Sequence, residues 1–194
     1  MAVSKYKQNA SKLFGLLTVA LFLAASMASQ AHAADVVTTY KDENGWKLQV
    51  NGQDFYAKGV VWSYSPRGQN YSYNLWAESD DHIRKVLDYD MGLLKAANVN
   101  SIRSFAMIPP KWVTYIYREH GIMFVVNPLM GRYGYMIGGK WVPFTDYSDP
   151  LTRATLKADM LEIVNRYKDT PGVLMFAFGN ESNYCLLYTS DAAD

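Results

Sequence analysis

The sequence has one cysteine, Cys185, and three histidines. A lone cysteine excludes a disulfide framework and a cysteine zinc site, and no two histidines stand at metal-ligand spacing. Nor is there a surplus of either charge: 19 Lys and Arg face 18 Asp and Glu, a formal net charge of +1. That balance removes the electrostatic reason to expect nucleic acid as a partner. There is no Gly-x-Gly-x-x-Gly, no phosphate loop and no Gly-x-Ser-x-Gly, so Ser63, Ser65 and Ser104 lack the setting of a serine nucleophile and nothing favours a nucleotide. No cofactor and no metal are expected. What is present, 194 residues of which 49% are hydrophobic and 14% aromatic, is the composition of a folded globular protein.

Both ends differ from the middle. Lys5, Lys7 and Lys12 precede an uncharged Leu/Ala-rich stretch from Leu13 to Met27, and Ala31-His32-Ala33 follows with a small-x-small pattern. This order predicts a secretory signal peptide over residues 1–33, cut before Ala34, and hence a periplasmic or extracellular protein. At about 15 apolar residues the stretch is short of the roughly 20 that a membrane span needs, so no stable insertion is expected after cleavage. At the other end Cys185 to Asp194, CLLYTSDAAD, resembles the translation of a transposase adapter used in sequencing libraries, and residues 185–194 are set aside as a non-native tail. The remaining stretch, residues 34–184, holds equal numbers of acidic and basic side chains. A neutral partner suits such a surface better than a polyanion.

Within that stretch residues 46–50, Asn51-Gly52 and residues 53–61 read as strand, turn and strand, because Asn-Gly supplies the two positive-φ positions of a tight hairpin. The second arm, 55–62, is long enough to run on into a buried strand. Three helix-then-strand units follow. Ile83, Val86, Leu87, Leu94 and Ala97 recur at one-face helical spacing over 79–98, with Ser79-Asp80-Asp81 as a capped, acidic start. A short strand over 100–105 comes next. Pro109-Pro110 opens a second helix with Val113, Ile116 and Tyr117 inward, and His120-Gly121 stops it. The apolar run 122–126 suits a strand buried on both faces. A polar, aromatic loop over 127–148 is long enough to suggest function. Asp149-Pro150 opens a third helix, with Leu156, Met160, Ile163, Val164 and Tyr167 inward, before a last strand over 173–178. His82 and His120 fall in or beside helices, as solvated or capping groups, and Asp80, Asp81, Asp88 and Asp90 fit an exposed helix face.

The order β-α-β-α-β-α-β with apolar strands means an α/β fold with a parallel sheet, either an open doubly wound sheet or part of a (β/α)8 barrel. Polar and aromatic residues gather just after each strand: Trp62-Ser63-Tyr64, Arg103-Ser104, Asn127 and Asn180-Glu181. In a barrel that edge is the catalytic face, which favours the barrel. Glu181 leaves a buried strand beside apolar walls, which disfavour its charge and suit a general acid, and Asn180 offers an amide to a hydroxyl. A loop glutamate that caps a following helix has the same local sequence.

Three segments carry a family resemblance: Leu48-Gln49-Val50-Asn51-Gly52 leading to Lys58-Gly59-Val60, Asn100-Ser101-Ile102-Arg103, and Gly179-Asn180-Glu181-Ser182. Together they resemble the catalytic barrels of glycoside hydrolase clan A, most of all the family 2 TIM-barrel domain and then the family 5 cellulases. The resemblance implies the N-terminal half, strands one to four, of a truncated (β/α)8 barrel over residues 34–184. It implies Glu181 as general acid/base, Asn180 as ligand of the hydroxyl beside the anomeric carbon, and Arg103 as support for a nucleophile. That nucleophile would be a second glutamate after strand seven, and retaining hydrolysis needs two carboxyl groups about 5 to 5.5 Å apart. The chain as written holds only one of the pair, so on this reading it is an inactive, poorly soluble fragment. The substrate would be a β-linked polysaccharide or oligosaccharide. Trp62, Tyr64, Tyr133, Tyr135 and Trp141 are candidate stacking platforms for sugar rings, with Asn127 a further substrate-binding candidate, although most aromatic side chains simply pack. Two alternatives stay open: a transglycosylase with the same strand-four chemistry, and a non-catalytic periplasmic barrel that binds polysaccharide.

Overall fold

The computed structural model describes residues 34–128, 130, 131, 134–143 and 145–180. The expected signal segment, Tyr133, Glu181 and the C-terminal tail lie outside the described residues.

A small antiparallel sheet comes first. Strand β1, Val37–Asp42, pairs with β2, Gly45–Val50, which pairs with β3, Gln53–Asp54. Asn51 and Gly52 take φ values of 51° and 77°, the positive pair that the hairpin turn requires. The chain then crosses to a parallel sheet of β4, Gly59–Val61; β5, Ser101–Arg103; β6, Met123–Val126; and the last strand, Val173–Phe176. Between them lie helix α1, Asp80–Ala96, and helix α2, Pro110–His120. After β6 comes a two-stranded hairpin of β7, Tyr135–Ile137, and β8, Lys140–Val142, then helix α3, Pro150–Tyr167; the last strand is therefore β9.

The sheet order β4-β5-β6-β9 is sequential. Right-handed crossovers that each advance one strand in the same direction put the three helices on one face. Each helix begins and ends as its sequence dictates. The Ser79 hydroxyl accepts from the His82 N–H at 3.3 Å, and the Asp149 carboxylate accepts from the Thr152 N–H at 2.7 Å. Gly121 closes α2 in the left-handed conformation at φ 69°.

Parallel neighbours in register point to the same face, which separates two rows of side chains. Ile102 and Phe124 pair across β5 and β6, and both are buried against Ile83, Leu87 and Met91 of α1 and Val113 and Ile116 of α2. Burying each such side chain contributes about 1.5 to 3 kcal/mol. Val61, Arg103, Val125 and Met175 form the next row on the opposite face, where Val61 is 52% and Met175 40% exposed.

Several expectations need correction. The stretch 53–61 is not one strand: β3 covers only 53–54 and belongs to the hairpin sheet. The arm 55–62 is not a buried strand either, because within it only β4, 59–61, is extended, as an exposed edge strand of the parallel sheet. Ala97, just past the end of α1, is exposed, while Met91 and Trp112 take buried places that the periodicity does not assign. On α3 only Leu156 and Tyr167 of the expected apolar set are buried, with Met160, Ile163 and Val164 half-buried. Tyr167 is 1% exposed, and its hydroxyl donates to the Ile108 carbonyl at 2.8 Å, a partner that a buried phenol requires. Among the helix acids, Asp88 receives the Tyr115 hydroxyl at 2.8 Å and lies 3.0 Å from His120 Nε2, so it ties α1 to α2.

Candidate active site

The sheet's C-terminal edge begins where β5 ends. Arg103 closes that strand on the face away from the helices, half-buried, with its guanidinium lying 5.3 Å above the Phe105 ring centroid. Its Nε–H donates to Asn127 Oδ1 at 2.7 Å, and its Nη2 donates to Asn180 Oδ1. A guanidinium is a rigid fork of five donors, so two fixed contacts set the direction of the rest. Among the described residues its hydrogen-bond partners are neutral amide oxygens.

Asn127 follows β6 directly and is 1% exposed. Its Nδ2 donates to the Ala177 carbonyl at 2.6 Å and to the Gly179 carbonyl at 2.7 Å. The backbone beside it is bonded as well: Ala177 N–H donates to the Val126 carbonyl at 2.8 Å and Gly179 N–H to the Pro128 carbonyl at 3.2 Å. Gly179 has φ 108°, a conformation that side chains rarely adopt, and the turn it permits delivers Asn180, 9% exposed, to the guanidinium. The ends of β5, β6 and β9 are thus joined by one polar network in which every contact crosses between strands.

The structure brings together Arg103, Asn127 and Asn180, three residues separated by up to 77 positions in sequence. Asn127, a candidate for substrate contact, is buried and bonded to three protein groups. Trp62 is likewise turned into the molecule, 8% exposed, with its indole N–H donating to Asp90 Oδ2 at 2.9 Å and its ring 6.4 Å from that of Trp76. Tyr64 packs edge-on to Tyr73 at 5.9 Å. Glu181, the next residue after Asn180, lies outside the described residues.

The long loop after β6 holds the β7–β8 hairpin, which sequence reasoning passed over. The available signal was Gly138-Gly139, whose φ values of 55° and 77° make a tight hairpin turn between two short apolar arms. The hairpin is tied to α3 by the Tyr135 hydroxyl, which donates to Asp159 Oδ2; burial and that bond push the phenol's pKa well up. Trp141 pairs across the hairpin with Met136, and the two are 60% and 52% exposed. A Cβ on Gly134 would stand 2.6 Å from the Trp141 ring, so the glycine lets that ring lie close on the backbone. Among the described residues no group of three or more His, Cys, Asp and Glu could hold a metal ion, and no helix is long and apolar enough to cross a membrane.

No protein-family model and no curated protein matches the chain. Two crystal structures of the Parabacteroides merdae β-glucuronidase, one with glycerol in its active site, align with it at TM-score 0.50 and 14% identity. The likeness is one of fold. It covers 77% of this chain and 16% of theirs, so the chain spans a small part of the length of those proteins. A β-glucuronidase from Ruminococcus gnavus, in complex with C6-substituted uronic isofagomine, aligns at TM-score 0.49 and 18% identity over 81% of this chain and 24% of its own.

Proposed function

We propose that the chain is part of a secreted retaining glycoside hydrolase acting on a β-linked polysaccharide, with residues 1–33 removed on export. The observation that carries this reading is the bond from Arg103 to Asn180. It draws the residue immediately before Glu181 to the C-terminal edge of a parallel sheet, the edge at which barrel enzymes hold their catalytic groups. The fold likeness to a β-glucuronidase supports a glycoside as the substrate class, and the neutral charge balance suits an uncharged glycan.

In this reading Glu181 holds a proton and gives it to the glycosidic oxygen as the C1–O bond breaks. A second carboxylate, from sequence beyond this chain, attacks C1 and forms a glycosyl ester. Glu181 then takes a proton from water as that water attacks C1, and the ester bond breaks with retention of configuration. Asn180 accepts from Arg103 through Oδ1, and in this reading its Nδ2 end donates to the hydroxyl beside the anomeric carbon. Trp141, exposed on a hairpin of the same edge, offers a ring for stacking on a sugar.

The test is hydrolysis of an aryl β-glycoside by the full-length protein, with the first-formed anomer followed by NMR. Retained configuration and a loss of about 10²- to 10⁴-fold in turnover for Glu181→Gln are expected. Unchanged turnover in that variant would remove Glu181 from the mechanism.

A further inference from the structure

We infer that Asn127 is a positioning residue, a buried bracket that sets both the Arg103 fork and the approach of the chain to Glu181; this rests on the glycosidase reading above. A primary amide has one acceptor oxygen and two N–H donors. In Asn127 the oxygen takes the Arg103 Nε–H at 2.7 Å, and the nitrogen reaches two carbonyls, Ala177 at 2.6 Å and Gly179 at 2.7 Å. The two carbonyls flank Phe178, so the amide grips the backbone on both sides of that residue. Those bonds leave Asn127 little to offer a ligand, and it is 1% exposed.

Position explains why an amide is suited to this place. The strand ends present one cationic donor group on one side and two carbonyl acceptors on the other. Aspartate would match the guanidinium and oppose the carbonyls. Leucine is close in size and would leave all three unpaired in a buried place. The bracket also closes a loop of contacts: Arg103 holds Asn180, Asn127 holds Arg103, and Asn127 holds the backbone at Ala177 and Gly179 that leads to Asn180. Removing Asn127 therefore loosens both at once: the guanidinium keeps only Asn180, and the strand-end turn keeps only its two backbone bonds. A displacement near 1 Å at a reacting group is enough for a rate loss on the order of a hundredfold.

Two variants of the full-length protein separate the two halves of the bracket. Asn127→Ala removes both; Asn127→Asp keeps the acceptor for Arg103 and removes the donors to the carbonyls. The first readout is solvent exchange of the Arg103 Nε–H by ¹⁵N NMR, which is independent of activity. It is expected to be slow in the wild type and in Asn127→Asp, and fast in Asn127→Ala. The second readout is the split between kcat and KM on an aryl β-glycoside. Both variants are expected to lose kcat, on the order of a hundredfold for Asn127→Ala, with KM within about twofold of the wild type.

Slow exchange in Asn127→Ala, a loss carried by KM, or wild-type kcat in Asn127→Asp would each overturn the proposal. Should Asn127→Ala not fold, Asn127→Asp decides by the same two readouts. A wild-type protein with a protected Nε–H but no turnover would sink the glycosidase reading and leave the bracket standing.

Discussion

The two ends of the parallel sheet are both held by polar side chains, but they are held differently. At the N-terminal end Asp35 accepts from Gly172 N–H at 2.8 Å, from the Tyr117 hydroxyl at 2.7 Å and from Asn51 Nδ2 at 2.8 Å. Asn100, just before β5, accepts from Lys58 N–H at 2.8 Å and donates to the Tyr56 carbonyl at 2.9 Å. Those contacts tie the hairpin sheet and the incoming chain to the strands. At the C-terminal end the central group is the Arg103 guanidinium, a cation held by two amide oxygens and lying on the face away from the helices. One end fastens the fold, while the other aims a charged group. That division suits the proposed reading, because in a barrel the C-terminal edge carries chemistry and the opposite edge carries stability.

On the glycosidase reading proposed above, Arg103→Ala should give the largest effect and fall mainly on turnover. Loss of a single aimed donor at an active site costs about 10²- to 10³-fold in rate. The fold would lose less, about 1 to 3 kcal/mol, because two amide oxygens are left without their partner. The comparison breaks if urea unfolding shows a normal midpoint and kcat/KM on an aryl β-glycoside is also unchanged.

The opposite end gives the mirror result. Gly172 has φ 88°, and a Cβ there would stand 2.4 Å from the Tyr117 Cβ, so Gly172→Ala must strain the backbone and push α2 away. About 2 to 3 kcal/mol of stability should be lost, read as a lower urea midpoint, with the kcat of the folded fraction unchanged. Equal losses of kcat and stability would mean that the two ends are coupled and the division is false.

Much of this arrangement was legible in the sequence, for reasons that vary by element. Helix α1 was readable because Ile83, Val86 and Leu87 share one face and Ser79 caps it; Asn51-Gly52 announced its turn because few other pairs accept two positive φ angles. Arg103 and Asn180 could be placed at strand ends, since a strand's end is a local property. Their mutual contact could not, because it spans 77 residues and depends on strand order. The direction in which Asn127 and Trp62 point was hidden for the same reason. Both follow strands, as substrate-binding residues do, and only the packed neighbours show that Ala177, Gly179 and Asp90 receive their donors. Asp35 is not recognisable from sequence, because nothing local distinguishes a clamp from a surface carboxylate.

Asp35 supplies the smallest effect and the most specific one. Burial by itself would raise its pKa, but hydrogen bonds from Gly172 N–H, the Tyr117 hydroxyl, Asn51 and its own backbone N–H outweigh that and hold it below its ordinary value of 3.8. The Tyr117 phenol is pushed up to about 12 by burial and by the same bond. A carboxyl whose folded pKa lies below its unfolded one stabilises the fold fully above the unfolded value, and the contribution fades as pH falls through the folded value. Asp35→Asn keeps the size of the side chain but replaces a charged acceptor with a neutral one, at a cost of about 1 to 2 kcal/mol near neutral pH. The gap in urea midpoint between wild type and variant should therefore be constant from pH 7 down to about pH 5 and narrow below about pH 4. Tyr117→Phe should reproduce part of that gap at neutral pH, because it removes one of the donors that hold the carboxylate. A gap that stays constant through pH 3 would show that the charge of Asp35 is irrelevant and that the N-terminal end is held by shape alone.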